Sequence, residues 1–255
     1  MNSHRLVHAG LTLALFASVM SVAEGASKLK PPADVVYTAL GDSITWGLFA
    51  SRTCQPLVPS PVATACPHAT SFVAEVARAL AESRGSDVRL QNLAISGARL
   101  SWLLSAELDK LSRKATVITV FIGINDFSDI AFNGSGTLEQ FESQYGLLIR
   151  YLTTSFPKAR LVLLNVPNVE YLPCCREVVD SADPTWKAGN TFINGFARIV
   201  TVVDLVCDAS LYSPAMFPPA DGIHPSDAGH ARIAADVLAA LAAPHRPAAS
   251  CPPYL

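Results

Sequence analysis

Charge is scarce in this 255-residue chain: 16% of its residues are Asp, Glu, Lys or Arg, against roughly 25% in an average soluble protein. Nor is there a basic surplus. With 19 Lys plus Arg against 21 Asp plus Glu, little positive surface is available to neutralise phosphates, which argues against a general nucleic-acid binder. The 18 Pro and 14 Gly follow no G-X-Y period, so collagen-like and low-complexity classes are set aside and ordered, turn-rich loops are expected. No G-x-G-x-x-G follows a strand and there is no P-loop, so no cofactor is expected. C-x-x-C and H-E-x-x-H are also missing, and no metal site is expected. What remains is half hydrophobic, enough for a sizeable core in one globular domain or at most a small pair.

Residues 1–23 read as a secretory signal. Arg5 precedes an apolar run from Leu11 to Val22, and small residues follow. Cleavage after Ala23, with Ser21 at the third position back, fits better than cleavage after Ala26, which places Glu24 there; the site is bracketed within 23–26. A membrane anchor would want ~20 apolar residues, and this run is shorter and interrupted by Ser18. No later stretch is long and apolar enough to span a bilayer. The expectation is a secreted or periplasmic protein, with a single domain over residues 27–255.

The six cysteines, Cys54, Cys66, Cys174, Cys175, Cys207 and Cys251, all follow that segment, and an even count in an exported chain favours disulfides. Cys54 and Cys66 bracket a Pro-rich insertion and are expected to pair locally. Cys174 and Cys175 are then left to pair with Cys207 and Cys251.

Beyond the signal, short β-branched runs alternate with longer amphipathic ones, the pattern of a parallel sheet covered by helices on both faces. Strands are predicted over Val35–Leu40, Val88–Leu93, Thr116–Ile122, Arg160–Asn165 and Val202–Val206, as near-continuous apolar runs. Helices are predicted over Ser71–Ser83, Leu138–Thr154, Pro184–Val200 behind an Asp183 cap, and Asp227–Leu241 behind Ser226. The fold class is thus α/β, a three-layer α/β/α sandwich around a central parallel sheet. In such sheets the chemistry sits at the carboxyl ends of the strands.

Four turns carry candidate chemical groups. The first strand runs into Gly41-Asp42-Ser43-Ile44-Thr45, which could present the Ser43 hydroxyl at the sheet edge or merely cap a helix. The second leads to Gly97, whose backbone N–H is open to approach. The third ends in Gly123-Ile124-Asn125-Asp126, placing the Asn125 amide at the same edge. Before the last helix stands Asp221-Gly222-Ile223-His224-Pro225. A carboxylate three residues ahead of an imidazole can fold back on it, fix its tautomer and stabilise the imidazolium, as a general base needs. Each turn alone also has a structural explanation; their co-occurrence in one chain shifts the balance.

In these four blocks, GDSIT, NLAISGA, GIND and DGIHP, the sequence resembles the GDSL-type, or SGNH, hydrolase family. The resemblance covers Gly41 to Pro225, with Ile44 where the family name has Leu and the Cys54–Cys66 insertion as the larger departure. It implies a flavodoxin-like fold and an esterase or lipase activity, with Ser43 as nucleophile, His224 as base and Asp221 as its orienter. It further implies an oxyanion hole from the Ser43 N–H, the Gly97 N–H and the Asn125 side chain.

Substrate is less legible. Trp46, Phe49, Phe127, Phe132 and Met216-Phe217-Pro218-Pro219 lie beside the blocks and either line an acyl pocket or pack the loops. A small-molecule, lipid or acetylated-sugar ester is expected as partner, with no nucleic acid, and the protein is expected to be monomeric. A carbohydrate O-acetylesterase is the nearest rival activity, and a non-catalytic extracellular binding module is the rival of another class. His230 is read as a surface or packing residue and His68 as a loop residue, and Asp42 and Asp126 as holders of turns. Asn133-Gly134-Ser135 matches a glycosylation sequon.

Overall fold

A computed structural model describes residues 34–175, 179–243 and 247. The expected signal segment and Cys251 lie outside the described residues. Six strands form one sheet: β1 (Val35–Gly41), β2 (Ser60–Pro61), β3 (Val88–Asn92), β4 (Val117–Phe121), β5 (Arg160–Leu164) and β6 (Thr201–Val203), in the order β2-β3-β1-β4-β5-β6. Every residue of β1 and β4 is buried, because helices cover both faces of the sheet. β1 pairs in parallel with β3 through Val35↔Val88 and with β4 through Tyr37↔Val117. The chain leaves β1 with partners on both sides, so the carboxyl ends of β1 and β4 open a crevice where the strand order reverses.

The sheet departs from the all-parallel expectation at one edge. β2, inside the Cys54–Cys66 insertion, runs antiparallel to β3. Two residues carry no periodic signal, and Pro61 offers no N–H with which to prolong the ladder. β6 stops earlier than expected because Asn165 takes over its pairing. The Asn165 Oδ1 accepts the N–H groups of Leu205 and Val206 at 2.7 and 3.1 Å.

The helices are α1 (Ser43–Trp46), α2 (Val62–Ala65), α3 (Phe72–Arg84), α4 (Leu100–Trp102), α5 (Ile124–Ser128), α6 (Leu138–Ser155), α7 (Val179–Gly195) and α8 (Asp227–Ala242). α3 packs against α8, and α6 against α4 and α7. α6 begins with a capping box between Thr137 and Gln140 and buries Phe141, Tyr145, Leu148, Ile149 and Leu152, one face at helical spacing. Leu148 is fully buried, and truncating it to Ala would cost about 2–5 kcal/mol. Among the described residues no helix is long and apolar enough to cross a membrane.

Two expectations are corrected. α7 starts five residues ahead of the predicted Pro184, which lies inside it. Proline's fixed φ is compatible with a helix, although it forgoes one N–H and crowds the carbonyl four residues back; buried Trp186, Asn190 and Ile193 hold the turns that follow. The second correction concerns the cysteines. Cys54 and Cys66 are bridged as expected, with Cα atoms 5.5 Å apart. Cys174 and Cys175, however, are bridged to each other, within the single helical turn Pro173–Cys175, while Cys207 belongs to a separate disulfide. Adjacent thiols on one tight turn meet without the long-range closure that the expected pairing required.

Candidate active site

β1 delivers the chain to Gly41, where a Cβ would collide with the Phe121 carbonyl and the Thr45 hydroxyl, so the turn closes only on glycine. Asp42 caps α1, its Oδ1 accepting the Ile44 N–H at 3.0 Å. That cap makes Ser43 the first residue of a helical turn. Its Oγ lies 2.8 Å from the His224 Nε2.

On the far side, the Asp221 Oδ1 accepts the N–H groups of Ile223 and His224 at 3.1 and 2.6 Å. The same oxygen lies 2.8 Å from the His224 Nδ1. This Asx-type turn orients the imidazole locally. With a carboxylate oxygen facing Nδ1, the proton belongs on Nδ1, and the Nε2 lone pair is left for the Ser43 hydroxyl. The tautomer follows from the hydrogen-bond partners. Gly222, between the two residues, has φ +76°, and a Cβ there would run into the backbone of Pro173 and Cys174.

The other two blocks are stapled together at the same edge. Beyond β3, the Leu93 and Ile95 N–H groups bond to Ala39 and Gly41 carbonyls, carrying the chain to the exposed Gly97 at φ +79°. The Asn125 Nδ2 donates to the Ala98 carbonyl at 2.9 Å, which uses one of its two amide protons. Both Asp126 oxygens accept the Leu100 N–H at 3.1 Å. Burial nevertheless pushes Asp126 up to about 6.

Asp42 and Asp126 thus hold turns. His230 is fully buried within packing contacts, and His68 lies in an exposed turn. Of the aromatics near the blocks, Phe127 and Phe217 belong to the core, Trp46 is half-buried, and Phe49 and Phe132 are 51% and 41% exposed.

Sequence reasoning missed one residue at the site, Glu107, and the His224 contact of another, Phe49. Glu107 is fully buried and accepts the Gly41 N–H; a lone Glu in an apolar stretch was its only signal. Phe49 stacks on His224, with ring centroids 5.6 Å apart and planes within 5°. Only its proximity in sequence to Ser43 hinted at this.

A cleft of about 190 Å³ is lined among others by Arg99, Ser101, Asp126, Asp129, Thr137 and Gln140; Ser43, Gly97, Asn125 and His224 are not in its lining. Arg99 pairs with Asp129, and its guanidinium carbon lies 5.9 Å from the Trp102 ring centre. Trp102 is 49% exposed.

The GDSL-like Lipase/Acylhydrolase family matches residues 39–232, which span all four blocks. No curated protein matches the sequence. Solved structures do match. The lipase Lip_vut3 from a goat rumen metagenome is 20% identical with a TM-score of 0.60, covering 81% of this chain and 97% of its own. Axe2, an acetylxylan esterase from Geobacillus stearothermophilus, is 22% identical with a TM-score of 0.62, covering 81% and 93%. An extracellular lipase from Streptomyces rimosus is 18% identical with a TM-score of 0.56, covering 83% and 100%. At these identities the structural likeness speaks to the fold, and the matched blocks speak to descent: the chain belongs to the GDSL-like lipase/acylhydrolase family of carboxylic ester hydrolases.

Proposed function

We propose that the protein is a secreted serine ester hydrolase with Ser43 as nucleophile, His224 as general base and Asp221 as the carboxylate that orients it. The observation that carries this reading is the unbroken row from the Ser43 Oγ to His224 Nε2, and from His224 Nδ1 to Asp221, each link 2.8 Å long. Such a row lets the imidazole accept the serine proton while the hydroxyl oxygen attacks an ester carbonyl. The C–O bond to the alcohol then breaks, with the imidazolium returning its proton to the leaving oxygen. Water, deprotonated by the same imidazole, attacks the acyl-serine and frees the acid. The Ser43 N–H, the Gly97 N–H and the free Asn125 amide proton are the proposed donors to the developing oxyanion.

Export is supported by the Arg5-led apolar segment over residues 1–23 and by disulfides that survive in oxidising compartments. Residues 27–255 would then be the single mature hydrolase domain.

One observation favours an acetylated sugar over a lipid as the ester. The cleft that includes Asp126, next in sequence to Asn125, is walled mostly by carboxylates, hydroxyls and amides, with Ile130 and Phe141 as its apolar side chains, and the half-exposed Trp102 lies beside Arg99 of its lining. Polar groups of this kind suit a polyhydroxylated alcohol, and an exposed indole suits the apolar face of a sugar ring. Three of the similar structures, two of them of Axe2, are named acetyl xylan esterases.

The test is hydrolysis of p-nitrophenyl esters of graded acyl length, beside acetylated xylan, by wild-type and Ser43→Ala protein. Activity on acetyl esters and xylan is expected, falling with chain length and lost in Ser43→Ala. Full activity in Ser43→Ala would overturn the assignment, and a preference for long acyl chains would overturn the sugar reading. Failure of a labelled fluorophosphonate to mark Ser43 in the folded protein would favour a non-catalytic binding module.

A further inference from the structure

The segment that follows α1 holds an aromatic ring in an unfavourable place. Phe49 has φ +66°, the one positive value at a non-glycine residue among the described residues. Bulky side chains rarely adopt that conformation, and where they do the surrounding structure must enforce it. Burial does not account for it, since Phe49 is 51% exposed. What the conformation achieves is a parallel stack on the His224 ring.

The residues on either side of Phe49 are tied to α8 and its surroundings. The His230 Nδ1 faces the Phe72 N–H at 3.4 Å, and its Nε2 faces the Leu48 carbonyl at 3.3 Å. With an N–H at one nitrogen and a carbonyl at the other, the neutral ring accepts at Nδ1 and donates at Nε2. Asp227 works on the other side: its Oδ1 accepts the Ser51 N–H at 2.7 Å and the Thr70 hydroxyl at 2.6 Å. Leu48 and Ser51 are thereby anchored to the helix that begins three residues after His224, and Phe49 is carried between them.

We propose that Phe49 is a further active-site residue, a positioning surface that holds the His224 ring in register with Ser43 and stabilises the imidazolium formed as the serine proton is transferred. An aromatic face carries partial negative charge and attracts a cation within ~6 Å of its centre. The neutral imidazole gains less from it than the imidazolium does, so the contact is strongest where the charge exists, in and near the transition state. Interactions of that kind raise kcat without tightening substrate binding. The inference rests on the reading of His224 as the base.

Three variants test it with p-nitrophenyl acetate, whose acyl group is too small to need an extended aromatic wall. Phe49→Leu keeps bulk but removes the π face, and should lower kcat at least threefold and up to about 30-fold, with KM within about twofold of wild type. Phe49→Tyr keeps the face and should hold kcat within about twofold. Phe49→Asn suits a positive φ and should lose kcat as Phe49→Leu does while keeping or raising Tm. A Phe49→Leu kcat within threefold of wild type would overturn the proposal, as would an equal loss in Phe49→Tyr. So would a kcat loss in Phe49→Asn that simply tracked a fall in Tm. Ser43→Ala, run alongside, separates the two failures: if it stays active the base assignment falls, and if it is dead while Phe49→Leu is normal only the stacking role falls.

Discussion

The Glu107 carboxyl stands behind the Gly41–Ser43 turn, its Oε2 accepting the Gly41 N–H at 2.9 Å from 66 positions along the chain. It ends a π-helical turn over Leu103–Glu107, a local irregularity of the kind found near functional sites. Among the described residues its other oxygen has no hydrogen-bond partner, and the same is true of one oxygen of the fully buried Asp42. Burial pushes Glu107 up to about 9, with the Asp42 charge adding to the effect and Lys110 opposing it. Burial likewise pushes Asp42 up to about 7.

The sign of the resulting pH dependence follows from proton counting. Between the ordinary value of 4.5 and about 9, the unfolded chain has released the Glu107 proton that the folded chain keeps. Rising pH therefore favours unfolding across that window, and the contribution is fully present only below pH 4.5. Glu107→Gln keeps an acceptor for Gly41 but has no proton to lose. Thermal melts should show its Tm gaining on wild type steadily from pH 4.5 to pH 9. A gap between the two that did not change with pH would mean that Glu107 is ionised in the folded protein.

Asn125→Ala removes one proposed oxyanion donor and also the staple to Ala98. Turnover on a short ester should fall ~100- to 1,000-fold, because the lost bond is strongest in the transition state. Fluorophosphonate labelling of Ser43 should persist at a reduced rate. Turnover close to wild type would remove Asn125 from the oxyanion hole.

Gly222→Ala places a methyl group where the Pro173–Cys174 backbone lies, at a φ that alanine disfavours. The collision must move the loop between Asp221 and His224. A loss of activity of at least about tenfold is expected, measured as kcat/KM, together with a lower Tm. An active, equally stable variant would show that the loop tolerates displacement.

The Cys54–Cys66 bridge closes a short loop, 12 residues in separation, around the antiparallel edge strand. Replacing both cysteines with Ser should cost about 2–3 kcal/mol in denaturant unfolding, by the entropy released in the unfolded chain. Unfolding midpoints equal to wild type would mean that the bridge does not constrain the unfolded state.

The elements legible in the sequence were those specified by neighbours along the chain. β1 and β4 could be read because strands buried on both faces need unbroken apolar runs, and α6 because its buried residues recur at helical spacing above a Thr137 cap. The Asp221–His224 pair was equally accessible, since three residues of separation bring the carboxylate to the ring within one turn. The start of α7 is not legible because a proline behind Asp183 carries the same signal as a helix boundary. The Cys174–Cys175 bridge is not legible because pairing depends on where thiols end up, which spacing does not say.

Local pattern thus determined five of the six strands, the four long helices and the identity of the side chains proposed to react. Tertiary structure decided their meeting: Ser43 and His224 are 181 positions apart and touch only because β1 and the loop before α8 end at one edge of the sheet. It also decided the buried Glu107 under Gly41 and the Phe49 ring over His224, neither of which leaves a periodic trace. The reason is range. Backbone preferences and side-chain periodicity act over a few residues, whereas burial and long-range hydrogen bonds depend on which distant segments the fold brings into contact.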